Sequence, residues 1–242
     1  MGATYAEQPS DPDIRFSVVV PAAGAGVRMG GRRKPLLEVC GRPILFHTIE
    51  RLLQASGCVE IVPVVHADEL RNADLSSRLR DDFGITRLVP GGHTRQDSAL
   101  AGLEAVRDDV QLVLIHDAVR PLVDPAVVRK VAEAAHRGGA AIAAVPAAET
   151  VKEVDAAGVI RATPPRERLY LARTPQGFRK DLILRAHYAA REAGFCGTDD
   201  AQLVERMGHE VVVVQDTYDN LKITTAEDLA IAEAVLRWRQ QG

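Results

Sequence analysis

The chain has 242 residues, of which 46% are hydrophobic and 26% charged, and a net charge of −3 at pH 7. This length is enough for one large α/β domain with a full hydrophobic core. The slightly acidic balance gives no broad basic field, which argues against a nucleic-acid partner, so any bound anion must be held by a few local cations. No apolar run approaches the roughly 20 residues that cross a bilayer, so we expect no membrane association.

The N-terminal segment and the cysteines concern domain organisation and compartment. Residues 1–15 are predicted to be a loose polar leader, and residues 16–242 a single domain. Cys40, Cys58 and Cys196 lie far apart and lack the spacing of a metal site. Such cysteines are typical of packed thiols in a reducing compartment. We therefore expect a cytoplasmic protein.

Apolar, strand-like segments alternate with segments of helical periodicity along most of the chain. Strands are predicted at residues 16–23, 59–65, 85–89, 111–117, 140–147 and 210–214. Helices are predicted from residue 43 and at residues 69–82, 94–106, 125–137, 180–193, 199–207 and 225–239. This alternation with short connections is typical of an α/β fold with a doubly wound, mostly parallel, Rossmann-like sheet. Pro63 predicts an edge position or a bulge for the second strand.

The alternation breaks at about residues 149–172. Three short extended pieces, at residues 150–154, 158–162 and 169–174, lie around a turn at residues 155–158. They predict an inserted β-arm that a compact sheet does not need. A projecting arm exposes strand edges unless something covers them, and a second subunit is the expected cover. We therefore expect a homodimer joined through the arm.

A glycine-rich segment at residues 21–35 follows the first strand, where an open parallel sheet places its ligands. Its glycines let backbone amides approach phosphate oxygens, and four cations lie in seven residues. Two known motifs nearly fit. Met29 stands where the dinucleotide fingerprint needs a third glycine, and Arg32 where the P-loop needs lysine. Neither motif is complete. The glycines and the four cations together nevertheless favour phosphate binding over a turn with solvated cations.

The segment His116–Pro121 follows a predicted strand at the same edge of the sheet. Asp117 is a hard oxygen ligand able to hold Mg²⁺ beside phosphates. Arg120 is able to bind a second anion through two donors. The alternative is that Asp117 caps a turn and Arg120 is a surface charge. The segment by itself does not decide between them.

The segment at residues 91–98 combines two glycines with a helix start. Thr94 and Asp97 have the spacing of a capping box, which explains both residues without a ligand. The paired glycines need another explanation, and they suit close backbone approach to a flat base.

The C-terminal half offers further candidates. Thr150, Lys152, Arg166 and residues 173–176 bring cations and hydroxyls into or beside the arm. Lys222 lies in an otherwise apolar stretch before the last helix, where packing explains a lysine poorly. The segment at residues 198–200 is interpreted as a helix cap.

These motifs occur in one order along the chain, at residues 21–34, 91–103, 116–121, 149–152, 174–178, 198–205 and 219–233. Together they resemble the family of 2-C-methyl-D-erythritol 4-phosphate cytidylyltransferases of non-mevalonate isoprenoid biosynthesis, from about residue 16 to residue 236. The related ribitol-5-phosphate cytidylyltransferases share the glycine-rich loop and the segment at residues 116–121.

The resemblance implies transfer of CMP from CTP to methylerythritol phosphate, with Mg²⁺ as the metal and pyrophosphate as the second product. It implies catalytic roles for Arg28, Lys34 and Lys222. It implies nucleotide contacts by Ala22, Ala23, Gly24, Gly26, Gly92, Ser98 and Asp117, with Asp117 also serving the metal. It implies substrate contacts by Arg120, Thr150, Arg166 and Thr174, of which Thr150 and Arg166 come from the partner's arm.

Alternatives and departures remain beside this interpretation. A ribitol-5-phosphate or other alditol-phosphate cytidylyltransferase is the nearest alternative. A dinucleotide-dependent oxidoreductase is disfavoured by Met29, and a non-catalytic nucleotide-binding protein would be expected to lose charged site residues that this chain retains. Pro35 follows Lys34 where the family usually has glutamine or an aromatic residue. His93 stands where an acidic residue is common.

Overall fold

The computed structural model describes residues 13–24 and 33–241. Its strands are β1 (Phe16–Pro21), β2 (Glu38–Val39), β3 (Arg42–Pro43), β4 (Cys58–Val65), β5 (Val89–Pro90), β6 (Leu112–Ile115), β7 (Ala140–Pro146), β8 (Glu153–Val154), β9 (Ile160–Ala162), β10 (Tyr170–Arg179) and β11 (Val212–Gln215). Its α-helices are α1 (Ile44–Leu53), α2 (Ala73–Phe83), α3 (Arg95–Ala105), α4 (Pro125–Gly138), α5 (Lys180–Glu192), α6 (Asp200–Arg206) and α7 (Ala226–Gln241). Short 3₁₀ turns lie at Lys34–Leu36, Ala67–Arg71 and Arg166–Arg168.

Seven strands form one sheet in the order β11-β7-β10-β6-β1-β4-β5. Neighbours pair in parallel except at β10, which is antiparallel to both β6 and β7. The predicted mostly parallel α/β sheet is confirmed. β1 lies inside the parallel half and its first five residues are buried, which explains its continuous apolar run.

Pro63 lies where β4 is locally an edge of the sheet. β4 is not the outermost strand, because β5 pairs beyond it. However, the paired residues of β4 on that side are Val64 and Val65, so the strand has no described neighbour there at Pro63. The edge prediction for Pro63 therefore holds at that residue and is wrong for the strand as a whole.

The prediction that the extended piece at residues 169–174 belongs to the arm is wrong from Tyr170 onward. Residues from Tyr170 onward form β10, a central strand whose pairing with β7 is irregular between Ala172 and Gln176. Pro175 lies inside this irregular stretch, where a residue without an N–H is tolerated. β8 and β9 do form the predicted antiparallel hairpin. The name arm is used below for residues 149–169.

Helices cover both faces of the sheet. One core cluster packs α1 and α4 against one face, and a second packs α3, α5 and α6 against the other. Gly102 of α3 permits close contact with β1, since a Cβ there would lie 2.3 Å from Val19 Cγ1. None of the helices in the described part of the chain is long and apolar enough to span a membrane.

A third cluster joins the C-terminal helix to the segment after the glycine-rich loop. It includes Val39 and Ile44 from that segment, Ile223 before α7, and Ala232 and Leu236 on α7. All five are buried. This packing brings residues 34–43 and 220–225 together although they lie far apart in the sequence.

Candidate functional site

The segments after β1, β5 and β6 meet at one edge of the sheet and carry most of the predicted site residues. The amide of Ala22 donates to the Val64 carbonyl of β4 over 2.7 Å. Ala22 and Ala23 are buried, whereas Gly24 is exposed. The start of the glycine-rich loop is therefore attached to the neighbouring strand and opens to solvent at its first glycine.

Gly91 and Gly92 lie where the loop after β5 passes close to the loop after β1. The Gly91 amide donates to the Val65 carbonyl over 2.8 Å. A Cβ on Gly91 would lie 2.1 Å from the Ala23 Cβ, and one on Gly92 would lie 2.3 Å from the Asp97 Cβ. Close backbone approach therefore requires glycine at both positions.

The N-terminus of α3 is held by side chains of its own segment. Thr94 Oγ1 accepts from the Asp97 amide and the Asp97 carboxylate accepts from the Thr94 amide, each over 3.0 Å, which confirms the capping box. The buried Ser98 hydroxyl donates to the Thr94 carbonyl over 2.9 Å and accepts from the Gly92 amide over 3.2 Å. Ser98 thus holds Gly92 in place.

Asp117 follows β6 and lies among three cationic side chains. Its Oδ1 accepts from Arg95 Nε over 3.2 Å, and its Oδ2 lies 3.0 Å from Lys222 Nζ and 3.4 Å from Arg120 Nε. Burial raises the pKa of Asp117, but attraction to Arg95, Lys222 and Arg120 outweighs burial and holds that pKa well below its usual range. The carboxylate is ionised, and the three cations around it suit a polyphosphate.

The predicted residues Arg120 and Thr174 both contact Asp117, Arg120 through the carboxylate and Thr174 through the backbone amide. The Asp117 amide donates to Thr174 Oγ1 over 3.0 Å. Arg120 Nη1 donates to the Asn220 carbonyl, and the Asn220 side-chain amide donates to the Thr174 carbonyl, both over 2.9 Å. These bonds join the loop after β6, the strand β10 and the segment that carries Lys222.

His116 directly precedes Asp117 and is fully buried. Its Nε2 lies 3.2 Å from the Arg120 carbonyl. Burial lowers the pKa of His116 to about 4, although that hydrogen bond and the charge of Asp117 raise it. A neutral imidazole adds no charge near pH 7, so arginines, a lysine and carboxylates determine the charge of the site.

Lys34 begins the 3₁₀ turn after the glycine-rich loop. Its Nζ donates to the Thr224 carbonyl over 2.9 Å, in the segment that also carries the second predicted catalytic lysine. Pro35 occupies the first turn of this short helix, where its missing N–H is not needed. The departure at Pro35 is thus compatible with the local fold. The predicted residues Gly26 and Arg28 lie outside the described residues.

Thr150 and Arg166 lie on the arm and are exposed. Arg166 Nη1 donates to the Ala148 carbonyl over 3.3 Å, which is a contact at the base of the arm. Within residues 13–24 and 33–241, no hydrogen bond or ion pair joins either residue to Asp117 or to the three cations around it. Their role in the site stays a prediction.

Arg95 connects two carboxylates, although none of the sequence motifs predicts a role for it. Its Nη1 donates to Asp200 Oδ2 over 2.7 Å, while its Nε donates to Asp117. The capping box explains the residues around Arg95 without a ligand, so the sequence gives little reason to expect a role for Arg95 in the site. The available signal is a cation at the first position of a helix, shortly after the paired glycines at 91 and 92. Asp199 caps α6 as predicted, by accepting from the Gln202 amide.

Comparisons with known proteins match nearly the whole chain. The family model for 2-C-methyl-D-erythritol 4-phosphate cytidylyltransferase matches residues 16–238. A relative of that name from Lysinibacillus sphaericus is 43% identical over 230 residues, which cover 93% of this chain and 97% of the relative. Another of that name from Desulforamulus reducens is 45% identical over 225 residues, covering 91% and 95%.

Solved structures agree. The 4-diphosphocytidyl-2C-methyl-D-erythritol synthase of Anaerococcus prevotii superposes with a TM-score of 0.82 at 34% identity, covering 92% of this chain and 96% of that one. The 2-C-methyl-D-erythritol 4-phosphate cytidylyltransferase of Thermus thermophilus superposes with a TM-score of 0.74 at 33% identity, covering 92% and 99%. The chain belongs to the 2-C-methyl-D-erythritol 4-phosphate cytidylyltransferase family.

Proposed function

We propose that this chain transfers CMP from CTP to 2-C-methyl-D-erythritol 4-phosphate. A phosphate oxygen of the acceptor attacks the α-phosphorus of CTP in line, and the bond from that phosphorus to the bridging oxygen breaks. Pyrophosphate leaves with the bridging oxygen, and 4-diphosphocytidyl-2-C-methyl-D-erythritol forms. The observation that carries the proposal is the cluster of Arg95, Arg120 and Lys222 around Asp117 in a member of this family.

Fixed cations meet the main catalytic need of this reaction, because negative charge grows on the α-phosphate during attack. Lys34 and Lys222 each hold a protein oxygen, the Thr224 carbonyl and the Asp117 carboxylate respectively. We assign both lysines to phosphate oxygens once the substrates bind. Arg28 is assigned to the triphosphate by the family pattern alone.

The cytosine and ribose are assigned to the backbone around Ala22–Gly24 and Gly92. Hydrogen bonds to β4 and to Ser98 hold these segments before any nucleotide binds. A rigid pocket that pairs with the exocyclic amine of cytosine rejects uracil strongly, because buried polar groups are then left unpaired. The nucleotide specificity therefore follows from fixed backbone groups.

Asp117 is proposed to hold a divalent cation, Mg²⁺ by preference. Mg²⁺ is commonly bound through one or two carboxylates and substrate phosphates, and Asp117 is one ionised, buried carboxylate. In the described ranges, no group of three or more His, Cys, Asp or Glu side chains forms a metal cage. Bound there, the metal would neutralise triphosphate charge. Lys222, whose side chain is 42% exposed, is the neighbour best able to move aside.

Two further assignments concern assembly and location. We propose that Thr150 and Arg166 bind the acceptor phosphate in the site of a partner subunit, because both are exposed on the arm. Exposed apolar residues of the arm, such as Val154 and Ile160, support the proposal that a second subunit covers this surface. The three cysteines are unbridged, which supports the cytoplasmic assignment.

Pyrophosphate release from CTP tests the function, with methylerythritol phosphate and ribitol 5-phosphate as separate acceptors. We expect turnover with the first acceptor, loss of turnover with EDTA, recovery with Mg²⁺ and poor use of UTP. Preference for ribitol 5-phosphate would assign the chain to the related alditol-phosphate enzymes. No release with either acceptor would contradict the proposal, and full activity after exhaustive EDTA treatment would contradict the metal assignment.

A further inference from the structure

A line of alternating charges leads from Asp117 into the interior of the protein. Arg95 lies between Asp117 and Asp200, and Asp200 Oδ1 lies 3.3 Å from His187 Nε2. Asp200 and His187 are each 1% exposed. The four residues belong to the loop after β6 and to the helices α3, α5 and α6. A row of successive polar contacts therefore joins four separate segments of the chain.

Stability alone explains these charges poorly. Charges in the interior lose their hydration, and a buried ion pair often stabilises a fold no better than apolar residues of similar size. Burial raises the pKa of Asp200, but attraction to Arg95 and the contact with His187 outweigh burial and lower it. Asp200 is therefore an ionised carboxylate in the interior, and it depends on Arg95 for its charge partner.

The shape of the arginine side chain provides a functional reason. A guanidinium is planar, so two donors bound to two carboxylates fix the orientation of the whole group. Asp200 is itself held, because its amide donates to Gln176 Oε1 over 3.2 Å and the Ala201 amide donates to the same oxygen over 3.0 Å. Arg95 is thus oriented by a residue that the fold holds in place.

We propose that Asp200 is a positioning residue for nucleotide transfer, acting through Arg95 on the Asp117 carboxylate. Without the Asp200 carboxylate, the 33% exposed side chain of Arg95 is free to turn toward solvent or to bind Asp117 through two donors. Either change alters how Asp117 faces Lys222. His187 lies against the other oxygen of Asp200 and limits its rotation.

This inference rests on the proposed function and is tested by a double-mutant cycle of Asp200→Asn and Arg95→Gln. We expect Asp200→Asn to lower kcat/KM for CTP about tenfold in the parent, but less than about twofold in the Arg95→Gln background. A purely structural role would lower the Tm of both backgrounds and leave no such coupling in kcat/KM measured well below Tm. Thermal unfolding of all four proteins is recorded alongside.

Equal losses of kcat/KM in both backgrounds, or no loss in the parent, would overturn the inference. Where Asp200→Asn does not fold, Arg95→Lys takes its place, because lysine keeps the charge but lacks the fork that reaches both carboxylates. We expect Arg95→Lys to unfold near the parental Tm with about a tenfold loss of kcat/KM. Parental kcat/KM in this variant would also overturn the inference.

A second readout separates this inference from the proposed function. The ¹³C chemical shift of the Asp117 carboxyl carbon, measured at pH 7, reports on the same coupling without any turnover. We expect Asp200→Asn to change this chemical shift in the parent and to leave it unchanged in the Arg95→Gln background. The same change in both backgrounds would overturn the positioning role, whereas an inactive parent with a coupled chemical shift would count against the proposed function only.

Discussion

The side chains around Asp117 and the arm differ in burial, although both are assigned to one reaction. The first set is called the Asp117 cluster and consists of Asp117, Arg95, Arg120, Thr174 and Lys222. Asp117, Arg120 and Thr174 are 7%, 8% and 4% exposed, whereas Val154 and Ile160 of the arm are 53% and 56% exposed. The cluster is held by bonds from several segments of one chain, while the arm presents apolar surface to solvent. The comparison supports the proposal that the residues around Asp117 are positioned within one chain, whereas the contribution of the arm to the site needs a covering subunit.

The hydrogen bonds of the two regions join residues at different separations along the sequence. In the arm, Asp155 accepts from the amides of Ala157 and Val159 and from Arg161, so these bonds span at most six residues. Such bonds shape a hairpin, but a two-stranded hairpin is marginally stable by itself. In the cluster, Arg95 binds a carboxylate 105 residues away. Long-range bonds make the cluster rigid before substrate arrives.

Lys34→Ala is expected to have the largest effect, because the lysine is proposed to stabilise charge that grows in the transition state. Removal of one such donor costs about 2.7–4 kcal/mol, so kcat should fall roughly 100- to 1,000-fold, with Lys34→Arg recovering part of it. Steady-state kinetics with CTP measures this. Arg185→Ala, which removes an exposed cation of α5, is the control and should retain parental kcat.

A variant Lys34→Ala that keeps kcat within about threefold of the parent and only raises the KM for CTP would make the lysine a binding cation. The cluster would then still be built within one chain, but the chemistry would have to be assigned elsewhere.

Asp117→Asn should destabilise the fold at pH 7 by about 1–3 kcal/mol, because three cations lose a buried partner. The folded pKa of Asp117 is lowered below its usual value of 3.8, so its stabilising effect is present above that pH and is lost as the pH falls below it. Chemical denaturation from pH 7 to pH 3 should show the difference between parent and variant shrinking at the acid end. Asp181→Asn on the exposed surface of α5 is the control. A difference that stays constant over this range would contradict the role of the charge.

Arg166→Ala should lower kcat/KM for the acceptor about tenfold, since a cation that binds a phosphate is lost while the nucleotide side stays intact. Mixing it with Lys34→Ala chains tests whether Arg166 acts in the partner's site. Random pairing gives half heterodimers with one intact site each, so about a quarter of parental activity should return. No recovery after proven subunit exchange would place both residues in the site of a single chain.

Ile160→Asp should have the smallest effect on the chain itself, within about 0.5 kcal/mol in the free energy of unfolding of the monomer, because the side chain is already exposed. It should nevertheless weaken the dimer, since a charge is placed in the proposed interface. Sedimentation over a concentration series measures this. Ile231→Asp, at a residue of α7 that is 52% exposed, is the matched control and should leave the dimer unchanged. Equal effects of both variants would contradict an interface at the arm.

Much of the site was predictable because its residues follow strands directly. Asp117 comes after β6 and Ala22–Gly24 after β1, and the carboxyl ends of neighbouring parallel strands lie at one edge. The glycines at 91 and 92 were equally visible, because a close backbone approach leaves a local mark in the sequence. The roles proposed for Thr150 and Arg166 leave no such local mark, because their proposed partner is another chain.

β10 shows where local patterns mislead. Pro175 and Gly177 interrupt an otherwise strand-like run, and both are typical of loops. The local pattern therefore predicts that the start of β10 belongs to the arm. In the fold, this strand lies between β6 and β7, and the irregular pairing before Gln176 accommodates the proline. Tertiary pairing overrode the local preference.

The sequence by itself determined the order of the helices and of most strands, the family and the glycine turns, because periodicity, capping and turn chemistry act between residues close in the chain. Only the tertiary structure decided which charges meet. Arg95 reaches Asp200, and Lys34 reaches the Thr224 carbonyl across 190 residues. Such contacts depend on strand order and on which helix covers which face, and no local pattern specifies either.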